Sequence, residues 1–87
     1  MSVELEPELG ACIETQAKRR YEQLMGEMLG EETEAAAEEL ETLRVFLASA
    51  DFSRLRSESE RYLVAGKKVK FILRREGEGA KYEMEVG

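Results

Sequence analysis

Residues 67–87 read KKVKFILRREGEGAKYEMEVG, and this stretch decides the fold. Val69, Phe71 and Leu73 alternate with Lys68, Lys70, Ile72 and Arg74. Beyond EGEG, Ala80, Tyr82, Met84 and Val86 alternate with Lys81, Glu83 and Glu85. Period-two patterning on both sides of a glycine-rich turn is the signature of a β-hairpin. Gly77-Glu78 suits a two-residue turn with glycine first. That turn pairs Leu73 with Tyr82, Phe71 with Met84, Val69 with Val86, and Lys70 with Glu85. A slip of one residue would set apolar side chains opposite glutamates, so the pattern specifies its own register.

A two-stranded hairpin is marginal in water, so its apolar face must be covered. The preceding residues supply the cover. Pro7 suits the first turn of a helix. From Leu9 onward Ile13, Ala17, Tyr21, Leu24 and Met28 recur at helical spacing, with Met25 and Leu29 widening the stripe and Gly30 placed as a C-terminal cap. Gly26 is costly inside a helix, unless it admits a close helix crossing. A second helix is expected from about Glu31 to Ala50, with Ala36, Leu40, Leu43, Leu47 and Ala50 forming a heptad-like seam that Phe46 broadens. The alternative is one long helix running through Gly30. A hairpin of two helices buries both stripes and is the reading adopted here. Asp51 or Ser53 can cap a shorter third helix carrying Phe52, Leu55, Ser59, Tyr62 and Leu63; Ser57 with Glu60 offers a later start, and Gly66 ends it. Val3 and Leu5 alternate with Ser2, Glu4 and Glu6, which leaves open a third strand at residues 2–6.

The expected architecture is therefore α+β. Two long antiparallel helices and a shorter third helix precede a C-terminal antiparallel β-hairpin packed on them, in a single small domain over residues 1–87. At 87 residues the core is modest. Cys12 is the only cysteine, so no internal disulfide can support it, and with no histidine and no cysteine cluster the usual zinc sites are lacking. Good helix packing or a second subunit is the remaining stabiliser. The longest apolar run, VFLA, is far below the ~18 residues of a membrane helix. The glutamates of MSVELEPELG stand where a signal peptide carries basic and then apolar residues. A lone thiol fits a reducing cytoplasm. The absence of Asn, with abundant Glu, Arg and Lys, fits heat adaptation.

Charge divides the chain. Residues 1–50 hold four Lys/Arg against twelve Asp/Glu, and residues 51–87 hold nine against seven, so a net −8 faces a net +2. Such a chain can attract a second copy or a charged partner. Glu27, Glu31, Glu34, Glu38 and Glu41 recur at helical spacing. With the second helix beginning near Gly30, four of them form an acidic ridge ~200° from the apolar seam, read as a solvated face. Di-metal helices use inward Glu-x-x-His sets, which this ridge lacks. Cys12 reads as a small packing residue on the first helix rather than a nucleophile, since no histidine can activate it. GEGAK lacks the spacing and the following helix of a phosphate loop. The triplet Lys18-Arg19-Arg20 spans most of a helical turn and reads as surface.

No catalytic, cofactor or metal site is expected, and the chain reads as non-enzymatic. The expected function is that of a small cytoplasmic interaction or assembly module. Its partner is a second copy or another protein chain, which meets leftover apolar surface at Met25, Leu29 and Ile72 while acidic helix and basic strand set orientation. The alternative is a nucleic-acid-binding accessory protein using Lys68, Lys70 and Arg74 on the hairpin's polar face. Against it, Glu83 and Glu85 share that face, Phe71 and Tyr82 point the other way, and the chain is acidic overall.

Overall fold

The computed structural model describes residues 2–87. The elements run β1 (Ser2–Leu5), α1 (Ile13–Gly30), α2 (Glu34–Ser49), α3 (Phe52–Val64), β2 (Val69–Glu76) and β3 (Gly79–Val86). This is the expected α+β arrangement of three helices followed by an antiparallel hairpin laid on them. The hairpin register is the one its alternation dictates: Leu73 opposite Tyr82, Phe71 opposite Met84, Val69 opposite Val86, Lys70 opposite Glu85. Glu76 and Gly79 close the turn, and Gly77 takes φ +61°, a conformation that favours glycine.

Residues 2–5 do form a third strand. β1 pairs antiparallel with β2, which makes β2 the centre of a sheet ordered β1-β2-β3. Val3 lies beside Leu73 and Leu5 beside Phe71, and all four are buried. With Ile13, Ala17, Leu24, Leu43, Phe46, Leu55 and Val69 they form the core. Each large side chain buried here contributes about 1.5–3 kcal/mol relative to exposure, which covers the greasy side of the hairpin.

Helix boundaries differ from expectation in ways the topology explains. α1 starts at Ile13, not near Pro7 or Leu9. The chain must first climb from the sheet edge to the helix layer, and residues 6–12 make that passage. A two-way backbone bridge between Glu8 and Ala11 ties the loop, Pro7 is buried in it, and Leu9 is exposed. α1 and α2 are separate helices. Gly30 is helical and is not a left-handed cap; the chain leaves through extended Glu31, and α2 begins at Glu34, later than Glu31, because Thr33 accepts a hydrogen bond from the Ala36 N–H. A Cβ at Gly26 would meet nothing within 4 Å, so this glycine does not serve a close helix crossing.

Asp51 caps α3 by accepting from the Arg54 N–H, and the Ser57 hydroxyl donates to the Ser53 carbonyl instead of capping. The helix ends in a Schellman arrangement: Gly66 N–H donates to Leu63 C=O, Lys67 N–H to Tyr62 C=O, and Gly66 takes φ +82°. Val45, outside the α2 seam in sequence, is buried. α2 packs against α1 and also against the sheet, so more than one stripe of this helix is covered. Val64, likewise off its seam, is exposed.

Candidate functional site

The solvent face of the sheet is built by alternation from three strands. Its rows are Ser2–Arg74–Lys81, then Glu4–Ile72–Glu83, then Lys70–Glu85. Lys68, just before β2, and Glu76 at its end extend the face, because they alternate in phase with these residues. Lys68, Lys70 and Arg74 therefore do share one face. Among the described residues of this face, however, the four cations (Lys68, Lys70, Arg74, Lys81) are matched in number by four carboxylates (Glu4, Glu76, Glu83, Glu85). Lys70 Nζ lies 3.7 Å from Glu4, and Lys81 Nζ lies 3.1 Å from Glu76. The face neutralises itself as a whole, with a basic Ser2–Arg74–Lys81 row beside an acidic Glu4–Ile72–Glu83 row. Ile72 is half-buried between Glu4 and Glu83 and offers little apolar area.

Met25 and Leu29 lie on the helix layer, at the C-terminal end of α1, with Leu29 91% exposed. Ile72 points away from the helices on the other side of the sheet, so the fold does not bring these three residues together. Apolar exposure also falls where the sequence did not mark a site. Tyr82 and Val86, both on the helix-facing side of β3, remain 37% and 39% exposed. β3 is an edge strand of the sheet, and the helices cover Phe71 and Leu73 on β2 more fully than they cover their neighbours on β3. Tyr82 contacts Phe71 with ring centroids 5.8 Å apart. Beside it, an opening of about 210 Å³ lies between β3 and the α2–α3 junction, lined in part by Ser49, Asp51, Arg54 and Ala80.

A larger open groove, about 850 Å³, runs between the 6–10 loop, the end of α3 and the last residues of β3. Its lining holds carboxylates (Glu6, Glu8, Glu85), ammonium groups (Lys67, Lys68, Lys70) and apolar side chains, without a hydroxyl, thiol or imidazole. Among the described residues no group of three or more His, Cys, Asp or Glu side chains is gathered closely enough to hold a metal ion. No described helix is long and apolar enough to cross a membrane.

Cys12 is not inside the first helix. It is the N-cap of α1, half-buried, with Sγ 3.4 Å from the Thr15 hydroxyl. Hydrogen bonding from Thr15, first through its hydroxyl and then its N–H, holds the thiol below its ordinary value against the opposing effect of burial, and the positive charge of Arg56 adds to this. The acidic ridge is also more engaged than expected: Glu38 faces Arg75 of β2 at 3.5 Å, and Glu41 bonds Arg44. Of the basic triplet, Lys18 and Arg19 are exposed, whereas Arg20 binds Glu39 of α2. No sequence periodicity pairs residues 19 apart, so these contacts are visible only in three dimensions.

Comparison with known proteins names no activity, ligand or partner. An uncharacterized protein of Archaeoglobus fulgidus is 57% identical over 51 residues, an alignment covering 54% of this chain and 60% of that relative, under two thirds of its length. No solved structure matches significantly. A family model matches residues 1–85. With the match running through all six elements to the penultimate residue of β3, the chain belongs to that family.

Proposed function

We propose that this protein is a small, non-enzymatic interaction module that self-associates by burying apolar surface left exposed in the single chain. The observation that carries this reading is the incomplete cover of β3. Tyr82 and Val86 face the helix side of the sheet yet keep more than a third of their surface in water, next to a strand edge that pairs with nothing among the described residues. Exposed Met25 and Leu29 add a second apolar area at the end of α1. A short chain without disulfide or metal gains core by pairing. The lone thiol Cys12 supports a reducing, cytoplasmic setting.

The nucleic-acid alternative draws less support. A phosphate-binding strip needs cations in excess, and on this face Lys70 and Lys81 are engaged by carboxylates. Sedimentation velocity between about 5 and 300 µM, the range for an interface at the small end of specific ones, tests self-association. A concentration-dependent rise to a dimer is the expected outcome, and a single monomeric species throughout overturns it.

A further inference from the structure

The backbone of β3 specifies how a second copy would be met. Lys68 and Gly87 exchange both of their backbone hydrogen bonds, each 2.9 Å. In an antiparallel ladder such pairs alternate with pairs that bond outward. Gly79, Lys81, Glu83 and Glu85 therefore spend their N–H and C=O groups on β2. Ala80, Tyr82, Met84 and Val86 aim theirs at the open side. This edge is eight residues long, against four for β1, and among the described residues no strand lies beside it. It is a row of unpaired donors and acceptors, the usual template for adding a strand.

The side chains then select a register. An antiparallel pair of identical strands has a twofold axis, and its hydrogen bonds form only when outward-bonding residues face one another. Of the registers that engage more than half of β3, centring on Lys81 sets two lysines opposite each other. Centring on Glu83 sets two glutamates opposite. Centring on Met84 sets Glu83 opposite Glu85 twice. Centring on Tyr82 places Lys81 opposite the partner's Glu83 on both sides of the axis, Ala80 opposite the partner's Met84, and Tyr82 opposite the partner's Tyr82. It alone has no like charges facing. It also brings the half-exposed Tyr82 ring under cover, on the side where the opening beside Ala80 and Arg54 lies.

We propose that the partner is a second copy of this chain, joined antiparallel through β3 with Tyr82 on the twofold axis, so that two three-stranded sheets become one of six. This rests on the self-association reading and adds the surface and the register. Opposite charges facing across strands stabilise and like charges destabilise, and here each change acts twice. Lys81→Glu alone and Glu83→Lys alone should each weaken the dimer about tenfold or more. Mixing the two variants should restore association, because every facing pair is then opposite in charge. A hydrogen-bonded antiparallel pair sets Cα atoms about 5.5 Å apart, within disulfide reach. Cys12→Ser/Tyr82→Cys should therefore cross-link on mild oxidation, while Cys12→Ser/Leu29→Cys should not.

Sedimentation of the two charge variants, separately and mixed, with circular dichroism to confirm folding, is the experiment. Heterodimer formation from two weakened variants supports the Tyr82-centred register, as does cross-linking at position 82. A wild-type dimer that is indifferent to both charge reversals and does not cross-link at position 82 overturns edge pairing, yet leaves self-association standing through another surface. A wild-type monomer at every concentration overturns both.

Discussion

Arg20 and Glu39 meet across the α1–α2 interface through two parallel hydrogen bonds, Nε to Oε1 at 2.8 Å and Nη2 to Oε2 at 3.0 Å. Paired forks of this kind are the stronger class of ion pair. The side chains are 34% and 22% exposed, so solvent screens the pair only in part. Glu39→Gln should lower unfolding free energy by about 1 kcal/mol, and a double-mutant cycle with Arg20→Met should return a coupling of similar size. Urea denaturation at low and high salt measures both. A coupling near zero would make the contact incidental to the helical hairpin.

Phe71 is fully buried at the centre of the sheet, between Leu5 and Met84. Phe71→Ala should cost about 3–5 kcal/mol. That is a large share of the 5–15 kcal/mol that holds a small domain folded. Leu29→Ser, at the exposed end of α1, should change stability by under about 0.5 kcal/mol. Thermal unfolding of the two variants side by side gives the contrast, and equal losses would contradict the assigned core.

The glycines separate by backbone conformation. Gly77 sits at φ +61°, so Gly77→Ala should destabilise the hairpin by about 1 kcal/mol. Gly26 is helical, and an added Cβ there meets nothing within 4 Å. Gly26→Ala should therefore stabilise by about 0.5–1 kcal/mol. Opposite signs in the denaturation midpoints are the expected outcome.

Thr15 holds the Cys12 thiol below its ordinary value through hydrogen bonds that favour the thiolate. The thiolate is the reactive form, so alkylation should begin at lower pH than for a free cysteine. Thr15→Val removes the hydroxyl that contributes most. Its iodoacetamide rate profile should move to higher pH. Superimposable profiles for wild type and variant would remove Thr15 from this role.

Legibility of the fold followed the range of the forces involved. Val69–Val86 carried its register because side chains two residues apart share a strand face, a local geometry that any hairpin must obey. The capping residue Asp51 and the terminating Gly66 were readable for the same reason. The start of α1 was not. The pull on residues 6–12 comes from a strand more than sixty positions later, which holds β1 at the sheet edge and makes the loop cross to the helices. The candidate interface divides in the same way. Ile72 and the lysines were correctly put on the polar strand face, but Glu4 arrives there only through β1, and its carboxylate engages Lys70.

Alternation and helical spacing, written residue by residue, determined the hairpin, its pairing and the helical stretches before it, because those patterns encode which side of an element must leave water. The tertiary structure decided what covers each side. It set β2 at the centre with β3 left at an edge, buried Val45, joined Arg20 to Glu39, and left Tyr82 partly in water. These outcomes depend on which distant segments compete for the same surface, and a one-dimensional pattern holds no record of that competition.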